Sequence, residues 1–582
     1  MNLYRQFARW MWLEWKLAAG LSAILLYFLL LSHHGLRSYF NGDDVMNLVG
    51  LHGYWRWPWW WSAVHALLVV TPVYRPMGDV FYRSLYGIFG FHPLPFRAAC
   101  FALMALNLGL FLGFALKLSP GRKAALLSTL VFSFHAALSD LYFSTGTVYD
   151  ILCVCFTLAA FLTYVSVRSR GRELHARHIV IFLLFYGGAL DSKEMAASLP
   201  LALVLYEILL APRVPSGRWW RRALPVLLSG ALTMAALAAK IPSLSDNPLY
   251  RPRYSPAYLL NNVSRYLGML VFLEQPLGAA WLLMLAGLAV IACVAMRRPV
   301  ALFGLFYGFL ALLPVAAVPV RDGFVLYLPL VGFALFCGDV LAAAVPSAPR
   351  FLAHGARRSL WLSLSQAGMF GMIAAGLFVV HSRHWRDQSQ QTWRENVAMR
   401  EIVRGMLAWR PKLPVGTRLF FLDDPLPRNH FSLPFLMQAA YHDPSICVER
   451  QKNSPTLDPA EYAIFDYLVS LSDGKLEARR LPPIRWEVPA VPVTFYPGTV
   501  DPGQSLQMRV GTYSDAAVDI EYRTVWRFAQ VDGVALRWTA LNAAGVATIP
   551  LPHLTEPAKI QITAVRVSGD IWRKALGGFI VR

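Results

Sequence analysis

The sequence predicts an α-helical polytopic membrane protein of about 11 transmembrane helices, with a C-terminal extracytoplasmic α/β plus β-sandwich-like region. Three observations carry this. The 582 residues are 56% hydrophobic and only 15% charged, with a mean hydropathy of +0.44, against about 25% charged in ordinary soluble domains. Apolar stretches recur between positions 17 and 381, each long enough to cross a ~30 Å hydrocarbon layer as a helix. From about residue 490 the pattern changes to period-two alternation broken by Pro, Gly, Asn and Asp. A single soluble globule is excluded.

Hydropathy places the spans near 17–32, 98–116, 124–139, 149–167, 179–191, 195–211, 223–241, 278–296, 299–318, 324–345 and 359–381. The formal net charge of +20 would suggest nucleic-acid binding in a soluble chain, but here it sits mostly in short loops on one side. Arg5, Arg9 and Lys16 precede the first span; Lys117, Arg122 and Lys123, then Arg168, Arg170, Arg172 and Arg177, follow at alternate loops. Arg213, Arg218, Arg221 and Arg222, then Arg297 and Arg298, then Arg350, Arg357 and Arg358 continue the series. The positive-inside rule makes that face cytoplasmic and calls for no nucleic acid. An odd number of spans starting inside puts everything after His381 on the opposite, periplasmic or lumenal face.

The first apolar run lacks a small-residue cleavage site and reads as a retained anchor. Cys100, Cys153, Cys155, Cys293 and Cys337 lie within apolar spans and Cys447 stands alone in the tail, so no disulfide framework follows. That, with the solitary sequon Asn262-Val263-Ser264, leans towards a bacterial inner membrane. The cytoplasmic loops are short and carry no G-x-x-x-x-G-K-[ST] phosphate loop, so the chemistry must use a substrate reached from the outer face.

Domain boundaries follow: 1–384 is transmembrane, 385–485 a connector and mixed α/β region, and 486–582 β-sandwich-like. In the first outer loop, Tyr54, Trp55, Trp57, Trp59, Trp60 and Trp61 form an aromatic cluster suited to the headgroup level. Residues 54–70 and 78–88 read as short helices along the interface. The connector 385–410 reads as an amphipathic helix, Thr417 to Leu422 as a strand, and the stretch around Tyr462 to Leu471 as helical. Ser505 to Val510 and Lys559 to Val565 alternate as strands.

Ionisable groups at the outer ends of membrane helices are costly to keep dry, which makes them functional candidates. Asp43 and Asp44 follow the first span and suit a general base, a metal ligand or a helix N-cap. Asp140 and Asp150 bracket the outer loop between the third and fourth spans, as metal ligands, acceptor-orienting groups or, for Asp150, a cap. Asp191-Ser192-Lys193-Glu194 forms an outer hairpin whose lysine is a point-charge partner for a lipid phosphate, or one member of a solvated polar turn. Arg75, Arg251, Arg253 and Arg265 run against the positive-inside trend, and guanidinium forks match phosphate oxygens.

Together these residues resemble the GT-C superfamily of glycosyltransferases, in particular the protein O-mannosyltransferases and the transmembrane, tetratricopeptide-containing O-mannosyltransferases. The likeness covers roughly residues 35–395. It rests on Asp43-Asp44; Tyr74-Arg75-Pro76; Tyr86-Gly87-Ile88-Phe89-Gly90-Phe91-His92-Pro93; His135; Ser192-Lys193-Glu194; and Tyr327-Leu328-Pro329. The resemblance implies a GT-C-like membrane domain and transfer of a sugar from a polyprenyl-phosphate donor, usually with inversion, at the outer face.

It also implies Asp43 or Asp44 as the base, and Lys193 with Arg75, Arg251 and Arg253 on the lipid phosphate. Asp140, Asp150 and Glu194 remain acceptor-side or second carboxylates, and no cofactor is implied beyond a possible divalent cation. The family's repeat domain is absent, its place taken by the 398–582 tail, which leaves the acceptor open between protein, glycolipid and glycan. The rival readings are a transporter of lipid-linked sugars, which predicts ionisable groups near the midplane, and a non-catalytic envelope scaffold. The spans are almost free of charge, which favours chemistry at one surface.

Overall fold

The computed structural model describes residues 2–51, 59–71, 75–119, 121–212, 219–244, 252–344, 356–428, 430–453, 465–472, 475–480, 491–501, 504–525, 535–550, 558–568 and 572–581. Tyr54, Trp55, Trp57, Tyr74, Arg213, Arg218, Arg251 and Arg350 lie outside these residues. The chain divides into two compact units, residues 1–38 with 57–393, and residues 39–56 with 394–582.

The first unit is helical. Among the described residues, six helices are long and apolar enough to cross a membrane: Trp15–Arg37, Pro93–Leu118, Val148–Arg168, Trp220–Lys240, Pro299–Ala316 and Gly323–Ala343. Large apolar side chains on other helices also face outwards, Leu184 at 66% and Ile208 at 71% exposure, as a lipid-facing surface requires. The chain is an integral membrane protein on these grounds.

The other expected spans take different forms. Ala176–Ser192 and Ala279–Ala295 have 17 residues each and Leu199–Leu209 has 11; at ~1.5 Å per residue all three fall short of a ~30 Å layer. The expected span at 359–381 lies within the 54-residue helix Ala356–Trp409. Among the described residues, then, six continuous helices, or seven spans with one bent pair, stand where eleven were expected.

That pair, Arg122–Ser133 and Ala136–Phe143, bends by 46° because Phe134 and His135 are extended. The amides freed by the break find side-chain acceptors, as an apolar medium demands. The His135 amide donates to the Tyr142 hydroxyl at 3.0 Å, the Ala136 amide to Nδ1 of His381 at 3.4 Å, and the Ala137 amide to Nδ1 of His135 at 3.3 Å.

Packing between Pro299–Ala316 and Tyr327–Ala344 relies on small residues. A Cβ on Gly304 would stand 2.6 Å from the Gly332 carbonyl oxygen, and one on Gly332 would overlap the Gly308 amide. Such backbone approach supplies dispersion contact where lipid offers no hydrophobic drive. Charges near helix ends are paired: Arg168 grips both carboxylate oxygens of Glu207 at 2.7 and 2.8 Å, and the Tyr164 hydroxyl adds a third bond at 2.8 Å.

The second unit is α/β followed by β. Strands β1 (Arg418–Asp423), β2 (Cys447–Arg450), β3 (Tyr467–Ser472) and β4 (Lys475–Arg480) form a sheet in the order β2-β1-β3-β4, parallel except for β4. Leu419, Phe420 and Phe421 are buried in succession, the pattern of a strand covered on both faces. The helical expectation for Tyr462 to Leu471 is overturned where residues are described. Tyr467, Val469 and Leu471 alternate inward, and pairing on both sides holds the segment as a central strand.

Eight further strands follow: β5 (Val491–Tyr496), β6 (Thr499–Val500), β7 (Ser505–Val510), β8 (Ala517–Val525), β9 (Ala535–Ala540), β10 (Val546–Pro550), β11 (Ala558–Val567) and β12 (Trp572–Val581). Their order is β10-β7-β5-β12-β11-β8-β9, with β6 on β12. The halves β10-β7-β5 and β12-β11-β8-β9 share one apolar core, with Leu506, Met508 and Val510 of β7 and Ile560, Ile562 and Val565 of β11. The alternation read in the sequence at Ser505 to Val510 is this inward-outward pattern.

Candidate functional site

Within the first unit, four of the charged residues singled out in the sequence converge. Val148–Arg168 carries Asp150 in its first helical turn. Ala176–Ser192 ends one residue before Lys193, whose extended backbone breaks the helix before the short turn Glu194–Ser198. Lys193 Nζ lies 2.6 Å from each carboxylate oxygen of Asp150, and both side chains are buried. Arg75 donates to Glu194 through Nη2 at 2.9 Å and Nε at 3.4 Å. Tyr149 joins the two pairs: it precedes Asp150 in sequence, and its ring lies 5.2 Å from the Arg75 guanidinium carbon. Phe324 covers Lys193 Nζ at 4.8 Å.

Two local features position Arg75. Its φ of +50° is left-handed, a conformation that side-chain-bearing residues adopt only when held there. The next helix, Pro76–Phe89, starts immediately with proline at its first position, and Gly78 lets that helix press on Tyr149, where a Cβ would overlap the ring. Burial raises the affinity of the Glu194 carboxyl for its proton, but the adjacent Arg75 charge outweighs this and brings its pKa down to about 2. Glu194 is therefore an anion throughout the physiological range, and the two cations and two carboxylates balance.

A third pair lies beside them: Lys240 Nζ donates to the Leu190 carbonyl at 2.9 Å and reaches Asp191 at 3.4 Å. Lys240, Tyr149 and Phe324 were not among the candidate residues read from the sequence. Adjacency to Asp150 was the only local signal for Tyr149, and Phe324 had none.

The remaining expected site residues are placed elsewhere. Asp140 is half-buried in the first turn of Ser139–Phe143. Arg253 is exposed, its amide donating to the Ala317 carbonyl at 2.6 Å and its guanidinium lying 5.6 Å from the Tyr258 ring centre. Arg251 lies outside the described residues. Among the described residues no group of three or more His, Cys, Asp or Glu side chains is arranged to hold a metal ion, so no step is derived through one.

Asp43 and Asp44 belong to the second unit. Asn41 caps the short helix Gly42–Met46 in a capping box. The Asn41 side chain accepts from the Asp44 amide at 3.0 Å, and the Asp44 carboxylate accepts from the Asn41 amide at 3.0 Å. Asp44 is fully buried in that role, whereas Asp43 is exposed. Of the two adjacent carboxylates, Asp44 is engaged in the cap and Asp43 is exposed.

No family model and no curated protein matches the sequence. Among solved structures, the chain is similar to ArnT from Cupriavidus metallidurans, whose crystal structure is bound to undecaprenyl phosphate. The identity is 13% and the TM-score 0.40, over 79% of this chain and 97% of that one. It is also similar to the arabinofuranosyltransferase AftD from Mycobacteria, at 13% identity and a TM-score of 0.42, over 88% of this chain and 41% of that one. Likeness at this level fixes no activity, and the reading below rests on the side chains.

Proposed function

We propose that the chain is an integral-membrane glycosyltransferase that moves a sugar from a polyprenyl-phosphate-linked donor to an extracytoplasmic acceptor. The observation that carries this is the convergence of Arg75, Asp150, Lys193 and Glu194, from three separate parts of the sequence, at the ends of apolar helices. Two cations fixed at the ends of helices, in a chain whose spans are poor in charge, suit a phosphate that stays in the membrane while its sugar is transferred.

In this reading the acceptor hydroxyl oxygen attacks the anomeric carbon and Asp43 takes the hydroxyl proton. The bond from that carbon to the phosphate oxygen breaks, and the polyprenyl phosphate leaves with the electron pair. Arg75 and Lys193 stabilise the charge that builds on the departing phosphate. Asp150 and Glu194 hold both cations in place before donor arrives and reduce the cost of keeping them in a poorly hydrated setting. In this proposal the N-terminus is cytoplasmic and the C-terminal region periplasmic, an orientation that the basic loops of the sequence support.

The test uses proteoliposomes and a panel of labelled polyprenyl-phosphate sugars, with wild type, Asp43→Asn and Lys193→Ala. Donor consumption by wild type that disappears in Asp43→Asn, with lipid-phosphate binding retained, supports the reading. Undiminished consumption in Asp43→Asn overturns the base. Folded wild-type protein that consumes none of the donors overturns the transferase.

A further inference from the structure

The second unit contains a cluster around Asp43 that the sequence did not flag. Gly42 sits against the turn that opens the helix Ser432–Ala440. A Cβ there would overlap Ser432 Oγ and stand 3.3 Å from Phe431 Cζ and 3.5 Å from His430 Cε1. The residue that precedes the exposed Asp43 is thus clasped by three consecutive residues of the C-terminal region. Val45, Leu48 and Val49 are buried on the same segment, so this docking is part of the fold of the unit.

The groups beside that clasp are mixed in chemistry, and Phe431 and Glu395 among them are open to solvent. Phe431 is 40% exposed, and its ring lies nearly parallel to that of His430, at 10° with centroids 5.9 Å apart. His430 Nδ1 and Ser432 Oγ are 2.8 Å apart, and Nε2 faces a Glu395 carboxylate oxygen at 4.0 Å. The Glu395 side chain is 30% exposed. Burial lowers the pKa of His430, with Glu395 opposing and Arg450 reinforcing the shift, so the ring is neutral near pH 7 and presents one donor and one acceptor.

Asn396, the residue after Glu395, opens the buried stripe Asn396, Met399, Val403 and Met406, and neither of its amide atoms has a hydrogen-bond partner among the described residues. An exposed aromatic ring beside a neutral imidazole and a carboxylate is suited to a polyhydroxylated ring. The apolar C–H face of a sugar covers the aromatic, and its hydroxyls reach the polar rim.

We propose that Phe431, Glu395 and His430 form an acceptor subsite for a carbohydrate on the face that carries Asp43, so that the transferred sugar is received by a glycan hydroxyl. The inference rests on the transferase reading and gives the C-terminal region a role in it. Ser432 holds the imidazole and Gly42 brings the Asp43 segment against it.

The test uses the full chain in nanodiscs. Binding of cellotriose, mannotriose, chitotriose and a Ser/Thr-containing peptide is read by saturation-transfer NMR, and donor consumption is read in parallel. At least one trisaccharide is expected to bind wild type, with affinity reduced ten-fold or more in Phe431→Ala, reduced several-fold in Glu395→Gln and retained in Phe431→Trp. Binding of lipid phosphate is expected to stay unchanged in all three. Equal trisaccharide binding by Phe431→Ala and wild type overturns the subsite, as does binding of the peptide alone or of no probe. Trisaccharide binding that depends on Phe431 without any donor consumption leaves the subsite standing and removes the transferase. Donor consumption with no such dependence does the reverse.

Discussion

Replacing Asp150 by asparagine separates the structural role of the inner ion pair from its electrostatic effect on ligand. Lys193 Nζ meets both Asp150 oxygens at 2.6 Å, and the two side chains are 7% and 3% exposed. Taking away one partner of a buried pair leaves the other desolvated and uncompensated, at a cost of about 3–5 kcal/mol, or roughly a hundred- to several-thousand-fold in the folded-to-unfolded ratio at ~1.4 kcal/mol per decade. Lys193→Met should cost a comparable amount. The double variant Asp150→Leu/Lys193→Met, which buries no charge, should cost less than either single change. Denaturant unfolding in mixed micelles, followed by tryptophan fluorescence, reads all four proteins. Under the proposed transferase reading, Asp150→Asn should also release the Lys193 charge and tighten binding of a polyprenyl phosphate, so stability and affinity move in opposite directions. If Asp150→Asn is as stable as wild type and the single losses simply add, the pair is not the compensated buried unit described above.

Three further outcomes are expected. In Glu194→Gln the Arg75 charge is no longer balanced, and under the proposed reading affinity for a polyprenyl phosphate should rise several-fold, as measured by native mass spectrometry; a fall would show Glu194 itself to be a ligand-binding group. Because the Glu194 pKa is depressed from 4.5 to about 2, its contribution to stability is complete above pH ~4.5 and is lost as pH falls towards ~2. The stability gap between wild type and Glu194→Gln should accordingly narrow across that acid window and stay constant from pH 5 to 8. Gly332→Val places methyl groups where the Gly308 amide and Gly304 carbonyl stand and should destabilise the helix pair by at least about 1–3 kcal/mol, seen as a lower thermal transition in detergent; an unchanged transition would show that the helices can separate at no cost.

Composition reaches a long way here, and where it stops is instructive. A mean hydropathy of +0.44 requires membrane burial, and the period-two run from Ser505 to Val510 requires one apolar and one wet face, so β7 is legible without coordinates. Tyr462 to Leu471 misleads because a short apolar run with isolated polar residues fits helix and strand alike, and only pairing with β1 and β4 selects the strand. The span at 124–139 shows the same limit. Its hydropathy is continuous, but the acceptors that let it break come from Tyr142 and, 245 residues away, His381.

The sequence by itself determined that much of the chain is apolar enough to enter a membrane and that its last part holds alternating strands, because these depend on residue type and local order. Only the tertiary structure decided which charges meet. Arg75 finds Glu194 across 119 residues and Lys193 finds Asp150 across 43, pairings set by helix ends that no spacing rule connects. It decided too that Asp44 caps a helix while Asp43 is exposed, and that residues 430–432 clasp Gly42, since accessibility and close approach belong to the packed chain.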